Sequence, residues 1–183
     1  GKNAVVTVPD SIDSKPVTSI GRTAFYSGKI KEVTIPNTVR SIKWWAFYGC
    51  ESLEKINLNF GLKTVGYGAF MNCKNLKSVS IPMSVTQICD DSFAVSCSTK
   101  KGVFDTYSKQ TISTQQYSTD SSFTLEGYSG TVAEKYCNDN SLNFVSSGNV
   151  IYGDVNNNGT VEAADAKLAK SLIDTVPTEE ELT

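Results

Sequence analysis

One short pattern recurs along this chain at a fixed interval. Alternating apolar residues begin at positions 33, 56 and 79, each 23 residues after the last: Val33-Thr34-Ile35-Pro36, Ile56-Asn57-Leu58-Asn59 and Val79-Ser80-Ile81-Pro82. Val6-Thr7-Val8-Pro9 is the same element one repeat earlier, with a longer connection after it. A unit of this length cannot bury an apolar face by itself, so stacked copies must share one continuous core. The sequence therefore predicts a solenoid.

Three further columns keep the same register. They are an apolar column at Ile20, Ile42, Val65 and Ile88, an Ala-Phe pair at Ala24-Phe25, Ala46-Phe47 and Ala69-Phe70 with Ser92-Phe93 as a variant, and a second apolar column at Ile30, Leu53 and Leu76. Alternating apolar residues ended by proline predict a short strand, because proline cannot donate to a sheet ladder. The Ala-Phe-x-x-Cys segment predicts one helical turn with its phenylalanine inside. Burying one phenylalanine contributes on the order of 2–3 kcal/mol, so we expect this column to be a main axis of stability.

These motifs resemble the BspA-like class of leucine-rich repeats. The residues that match its pattern of I-x-I-P, V-x-x-I, A-F-x-x-C and L are Ile35, Pro36, Val39, Ile42, Ala46, Phe47, Cys50 and Leu53. The resemblance covers about residues 4–98. It implies a β-rich leucine-rich-repeat solenoid, right-handed, with short parallel strands and short helical turns, of the kind found in bacterial and protist surface and secreted proteins.

We assign residues 1–148 to this solenoid. Residues 98–122 lose the columns, and we favour a surface loop inserted into the last repeat, held to the body by Val103-Phe104 and Ile112, over a ragged extra unit. Residues 123–148 are similar to the closing unit of such arrays, with a strand, a Gly-rich turn, a short helix and a last strand. Terminal units are atypical because one face must meet water.

Composition argues against several function classes. Histidine is absent, which removes Ser-His and Cys-His nucleophilic catalysis and His-ligated zinc. Asp90-Asp91 is typical of a solvated turn, so we predict that the chain is not an enzyme. The formal net charge is -2, without a basic run, and no apolar stretch could span a bilayer, so we expect neither nucleic acid nor a membrane span. The first residues read as the middle of a strand, so we expect a piece of a longer chain.

Five cysteines leave at least one unpaired. Cys50 and Cys73 occupy the same repeat position and should stack about 4.8 Å apart. Their parallel side-chain directions oppose a disulfide, which favours a ladder of buried free thiols. For the other three cysteines, a Cys89–Cys97 bridge and a Cys97–Cys137 bridge both stay open.

The repeat register also predicts which outward side chains line up. The columns are Arg22, Trp44, Tyr67 and Asp90; then Thr23, Trp45, Gly68 and Asp91; then Tyr26, Tyr48 and Met71. Exposed Trp, Tyr and Arg dominate the hot spots of interfaces, and flat aromatic rings also stack on sugars. Trp44, Trp45, Tyr48 and Tyr67 are therefore candidate partner-binding residues, with a protein partner ahead of a glycan. The alternative is that Trp44 and Trp45 fold over the repeat edge and merely cover apolar surface.

A twelve-residue loop, Asp154 to Asp165, carries oxygen side chains at the spacing of a calcium site. Calcium takes about six to eight hard oxygen ligands, and a glycine at the sixth position, here Gly159, allows the tight wrap. The expected ligands are the side chains of Asp154, Asn156, Asn158 and Asp165, the carbonyl of Thr160, and Glu162 through water. This spacing argues against a plain Asn-Asn-Asn-Gly turn.

The loop and the run Ala166 to Ile173 resemble a type I dockerin repeat, and we assign residues 149–183 to a partial dockerin with one calcium loop and one α-helix. The resemblance implies calcium-dependent binding to a cohesin module of a scaffold protein, with recognition positions at Ala163, Ala164, Lys170 and Ser171. It also implies a place in a cellulosome, outside an anaerobic bacterium. The chain departs from the family in having one loop–helix repeat and in the low polarity of Ala163-Ala164.

Together these features predict a secreted, non-catalytic interaction or adhesion module that calcium-dependent dockerin–cohesin binding tethers to a cellulosomal scaffold. The alternative is a module that binds plant polysaccharide or host-surface carbohydrate through its exposed aromatic columns.

Overall fold

The structure, a computed structural model, describes residues 4–93, 96–105, 110–118 and 122–149, with the backbone alone for 96–105, 110–118 and 149. Within these ranges the elements, in chain order, are β1 (Ala4–Thr7), β2 (Ser11–Ile12), β3 (Lys15–Pro16), β4 (Ser19–Ile20), β5 (Ile30–Thr34), β6 (Ser41–Ile42), β7 (Lys55–Asn57), β8 (Thr64–Val65), β9 (Ser78–Ser80), β10 (Gln87–Ile88), β11 (Ser96–Asp105), β12 (Gln110–Ser118), β13 (Thr124–Ser129), α1 (Val132–Asn140) and β14 (Asn143–Asn149). In the part of the chain described, no helix has the length and apolar character needed to cross a membrane.

Two rows of parallel strands run through the repeats, as the columns predict. In the first row, β1, β5 and β7 form one sheet with Val6, Val33 and Ile56 in register. In the second row, β4, β6, β8 and β10 form a four-stranded sheet that aligns the apolar column Ile20, Ile42, Val65 and Ile88. The longer connection after β1 is a small antiparallel hairpin, β2–β3.

Phenylalanine rings form one continuous column along the core. Phe25, Phe47, Phe70 and Phe93 stack with centroids 4.9, 5.2 and 5.2 Å apart, and their planes differ by no more than 9°. Phe123 extends the column at 5.3 Å from Phe93. The predicted alignment is confirmed. Each ring is covered by the ring of the next repeat, so the core of one repeat is completed by its neighbour.

The Ala-Phe segments are not helical turns, so the prediction of short helical turns is wrong. In the first repeat Thr23 and Ser27 have φ of 56° and 52°, in the left-handed region. The Tyr26 N–H donates to Thr23 O at 3.1 Å within the repeat, whereas the Phe25 N–H donates to Ala46 O of the next repeat at 2.8 Å. In an α-helix both would donate to carbonyls four residues back, and in any right-handed helical turn the φ angles would be negative. The left-handed residues instead aim alternate N–H groups at the neighbouring repeat, which adds a third row of inter-repeat hydrogen bonds.

The cysteines at the equivalent repeat position form the predicted ladder of buried free thiols. The Cys50 thiol donates to Phe25 O at 3.0 Å, and the Cys73 thiol donates to Phe47 O at 3.2 Å, so each links its repeat to the preceding one. Burial raises the pKa of both thiols.

Neither of the two disulfides that the sequence left open is present, because Cys89 and Cys137 carry free thiols. Cys137 is buried in α1 and directs its sulfur to the carbonyl of Asn143 at 3.7 Å. Its side chain is therefore engaged in the packing of the closing unit. Burial raises the pKa of this thiol to about 11.

Residues 96–118 contain an antiparallel hairpin where we expected an irregular loop over 98–122. β11 and β12 pair from Ser96 opposite Ser118 onwards, with a register shift between Lys100 and Val103. Within the described ranges they join no other sheet, and β13 pairs with β9 of the preceding repeat. The hairpin is thus inserted between two neighbouring units of the array. The side chains of Val103, Phe104 and Ile112 lie outside the described residues.

The closing unit has the predicted strand–helix–strand order, with Leu125 of β13 in register with Val79 of β9 and Phe144 of β14. The Phe93 N–H donates to the hydroxyl of Tyr136 in α1 at 3.4 Å, and the two rings meet edge-on at 5.9 Å. In the earlier repeats the corresponding N–H donates to a carbonyl of the next repeat. The Tyr136 hydroxyl therefore replaces that carbonyl at the end of the array, and burial raises the pKa of this phenol, which keeps it protonated.

Candidate interaction surface

The two tryptophans lie in the turn that follows β6. Trp45 has a φ of 54°, a left-handed conformation that is uncommon for a bulky residue. The backbone N–H of Trp45 donates to the backbone carbonyl of Tyr67 at 3.1 Å. The backbone carbonyl of Trp44 accepts the Thr23 N–H at 3.3 Å. The backbone of this turn is therefore tied to the repeats on both sides, which fixes the direction in which each indole leaves the solenoid.

Four side chains from four successive repeats form a connected series, here named the aromatic chain: Arg22, Trp45, Tyr67 and Asp91. The guanidinium carbon of Arg22 lies 5.0 Å from the Trp45 ring centroid, within cation–π range. Trp45 meets Tyr67 edge-on at 6.2 Å with an interplanar angle of 63°. Tyr67 makes a side-chain hydrogen bond with Asp91. Contacts therefore link all four side chains across the repeats.

The two tryptophans differ in accessibility. Trp45 is half-buried and lies over Gly68, where an added Cβ would come within 2.7 Å of the indole Cδ1. Trp45 thus covers the repeat edge, as the alternative interpretation describes for both residues. Trp44 does not, because 56% of it is exposed. No ring contact or ion pair involves Trp44 among the described residues.

The aromatic chain runs from a cation to an anion. Arg22 is exposed at one end, while Asp90 and Asp91 provide carboxylates at the other. Burial raises the pKa of Asp91 above its ordinary value of 3.8, Asp90 raises it further, and the hydrogen bond from Tyr67 opposes both effects. A partner that fits this surface would carry the opposite charge order around an apolar centre.

Tyr48 belongs to a separate stack. Its ring lies 5.1 Å from that of Tyr26 with an interplanar angle of 8°, and its hydroxyl accepts a hydrogen bond from Asn72 Nδ2 at 3.2 Å. Sequence reasoning did not include Asn72 in the site. The repeat register could have found it, because Asn72 occupies the same repeat position as Ser27 and Gly49. All three residues have left-handed backbone conformations.

Two grooves open between repeats on the described surface. One, of about 360 Å³, lies beside the Tyr26–Tyr48 stack. The other, of about 320 Å³, is lined by Leu58, Ile81 and Tyr128, among others, where β7 and β9 do not pair.

The predicted calcium ligands Asp154, Asn156, Asn158, Thr160, Glu162 and Asp165 lie outside the described residues, and so do the predicted cohesin-contacting positions Ala163, Ala164, Lys170 and Ser171. These assignments stay predictions. Within the ranges that are described, no group of three or more Cys, Asp and Glu side chains could hold a metal ion.

The family model described as a BspA type leucine rich repeat region matches residues 9–125 in 6 copies. The chain belongs to this family. The match begins after β1, includes the hairpin of β11 and β12, and ends within β13. No curated protein matches the chain.

Solved structures of other leucine-rich repeat proteins are similar to this BspA-type chain. A protein from Bacteroides capillosus is 36% identical over 49% of this chain and 67% of its own, with a TM-score of 0.46. One from T. pallidum is 30% identical over 51% of this chain and 55% of its own, with a TM-score of 0.42. A cell surface protein from Faecalibacterium prausnitzii is 21% identical over 83% of this chain and 34% of its own, with a TM-score of 0.53. At this level of identity the similarity shows the fold alone. The chain spans only part of each of these proteins.

Proposed function

We propose that this chain is a non-catalytic recognition module that binds a protein partner through Trp44 and the adjoining aromatic chain. The observation that supports this best is the 56% exposure of Trp44, next in sequence to Trp45 of the contacting Arg22–Trp45–Tyr67 series. A tryptophan side chain has only two torsion angles to fix, so it offers a large contact area at a low cost in conformational entropy. Trp, Tyr and Arg are also the residue types that dominate interface hot spots.

Membership of the leucine-rich repeat family supports a binding role over a catalytic one, and the absence of histidine removes Ser-His and Cys-His nucleophilic catalysis. We further propose that the protein works at a cell surface or outside the cell. The neighbour from Faecalibacterium prausnitzii is described as a cell surface protein, which agrees with this location.

To test the interface, benzoylphenylalanine is incorporated in place of the neighbouring exposed residue Lys43, which leaves Trp44 intact, and is cross-linked to extracellular proteins of the source culture, after which the captured protein is purified. We expect Trp44→Ala to weaken its binding about 30-fold, the effect of a hot spot of about 2 kcal/mol. Val145→Ala is the matched control, because Val145 is also an exposed apolar residue, at 53%, on β14. The proposal would be contradicted if Trp44→Ala and wild type bound every captured protein with equal affinity. It would also be contradicted if Trp44→Ala lost affinity for plant polysaccharide alone.

We also propose that the segment from Asp154 to Asp165 binds calcium and tethers the module to a cohesin. The support is the spacing of six oxygen-bearing positions around Gly159. Calorimetry of the complete parent chain against a panel of cohesins should detect binding in calcium and none in EGTA, and Asp154→Ala should weaken it. Asp174→Ala, which removes a carboxylate outside the loop, should bind like wild type. Equal affinity in calcium and in chelator would exclude this tether.

A further inference from the structure

The groove beside the Tyr26–Tyr48 stack combines hydrogen-bonding groups from three successive repeats. Its volume is about 360 Å³, and its polar lining comes from Ser27, Lys29, Tyr48, Glu51, Ser52 and Asn72. Small-ligand pockets range from about 300 to 1,000 Å³, so this groove has room for a short ligand only. The described residues that line it include no aliphatic side chain.

Tyr48 and Asn72 present a matched donor and acceptor to this groove. The Tyr48 hydroxyl oxygen accepts from Asn72 Nδ2 at 3.2 Å, which leaves the hydroxyl hydrogen to donate and the Asn72 Oδ1 to accept. Neither group has another side-chain partner among the described residues. Stacking on Tyr26 fixes the Tyr48 ring at 5.1 Å, so the hydroxyl is held in place. Adjacent sugar hydroxyls, each both a donor and an acceptor, fit such a pair.

The charged residues that line the groove are Lys29 and Glu51. The Glu51 carboxylate is neutralised by Lys74 Nζ at 2.5 Å. Lys29 makes no ion pair among the described residues, so its ammonium group is available to an anion. A ligand with one carboxylate per unit would therefore be favoured over a neutral one.

Gly49 keeps the groove open. Its φ of 69° is left-handed, and an added Cβ would lie 3.0 Å from the Ser27 hydroxyl oxygen. Any side chain at position 49 would narrow the space between the first and second repeats. Glycine therefore serves here both the backbone conformation and the width of the groove.

We propose that this groove binds an acidic oligosaccharide, with sugar hydroxyls on Tyr48 and Asn72 and a uronate carboxylate on Lys29. An acidic peptide fits less well, because acidic motifs are recognised by clusters of arginines and no arginine lines this groove. Neither Trp44 nor a member of the aromatic chain lines this groove, so either proposal can fail without the other.

The test is calorimetry on the full chain with three probes of similar size: trigalacturonate, the neutral trisaccharide cellotriose, and triglutamate. Trigalacturonate should bind, and Tyr48→Phe, which keeps the ring stack, should weaken it about fivefold to tenfold. Lys29→Gln should weaken trigalacturonate by a similar factor and remove its advantage over cellotriose. Lys15→Gln, which removes an exposed charge from β3, and Asn138→Asp, on α1, should leave the affinity unchanged.

Unchanged circular dichroism of Tyr48→Phe would show that any loss of affinity is not a loss of fold. The proposal would be overturned if trigalacturonate had a Kd above about 10 mM. It would also be overturned by binding that ignores both Tyr48→Phe and Lys29→Gln, or by triglutamate binding as tightly as trigalacturonate.

Discussion

Replacing Phe70 with alanine tests whether the phenylalanine column holds the repeats together. Phe70 lies in the middle of the column, is 2% exposed, and has ring centroids of Phe47 and Phe93 each 5.2 Å away. Phe25 is the matched comparison, because it is half-buried and stacks on one ring, that of Phe47, among the described residues. The two substitutions remove the same atoms from different depths of one structure.

We expect Phe70→Ala to lower the free energy of unfolding by about 3–5 kcal/mol, because buried ring area is lost and a cavity remains between two fixed neighbours. Burial of the side chain accounts for about 2–3 kcal/mol of this, and each lost ring pair for about 0.5–1.5 kcal/mol. Phe25→Ala loses part of the burial and one ring pair, so its cost should be about 1–2 kcal/mol. The total free energy of unfolding of a native domain is about 5–15 kcal/mol, so Phe70→Ala removes a large share of it.

Guanidinium titrations measure both costs, with circular dichroism reporting on the whole array and fluorescence on Trp44 and Trp45 in the second repeat. Phe70→Leu is the control and should cost about 1–2 kcal/mol, because it leaves a smaller cavity. If Phe25→Ala cost as much as Phe70→Ala, or if Phe70→Ala cost less than about 1 kcal/mol, the column would not be the main axis of stability. If the circular dichroism and fluorescence transitions of Phe70→Ala no longer coincided, the repeats on the two sides of the cavity would be unfolding separately.

Three further predictions follow from single contacts. Tyr136→Phe should cost about 1 kcal/mol and speed hydrogen exchange at the Phe93 amide in NMR spectra, because that buried N–H loses its acceptor while the ring contact remains. Cys50 and Cys73 should resist Ellman's reagent at pH 8 in the folded protein and react once guanidinium unfolds it, since burial raises the pKa of both thiols; rapid reaction in the native state would contradict the buried ladder. Asp91→Asn should raise the melting temperature at pH 7, because the raised pKa means that the folded state binds more protons than the unfolded state above pH 3.8, so ionising Asp91 costs stability. This advantage should shrink as the pH falls towards 3.8, and a constant advantage would refute its electrostatic origin.

The repeating parts of the fold could be predicted from the sequence. The column Phe25, Phe47, Phe70 and Phe93 and the parallel pairing of the strands follow from a 23-residue spacing, because equivalent residues in stacked units must lie side by side. The free-thiol ladder follows for the same reason. The closing unit was also recognisable, but the hydroxyl of Tyr136 as a substitute for a backbone carbonyl was not, because no residue pattern encodes that contact.

The turns could not be predicted. Thr23, Ser27 and Trp45 adopt left-handed φ angles, which none of these residue types favours on its own. Their conformation is fixed by hydrogen bonds to the neighbouring repeats, such as Trp45 N–H to Tyr67 O at 3.1 Å. A local Ala-Phe-x-x-Cys pattern therefore indicated a helical turn where inter-repeat bonding imposes a different one.

For the candidate site, the sequence determined which side chains share a column, and the tertiary structure decided what each column does. The register placed Trp44, Trp45 and Tyr67 at the solenoid edge, but only the packed turns determine that Trp45 lies over Gly68 while Trp44 stays exposed. The physical reason is that a column depends on spacing along the chain. The direction and exposure of a side chain depend instead on the φ angle of its residue and on what the adjacent repeat places beside it.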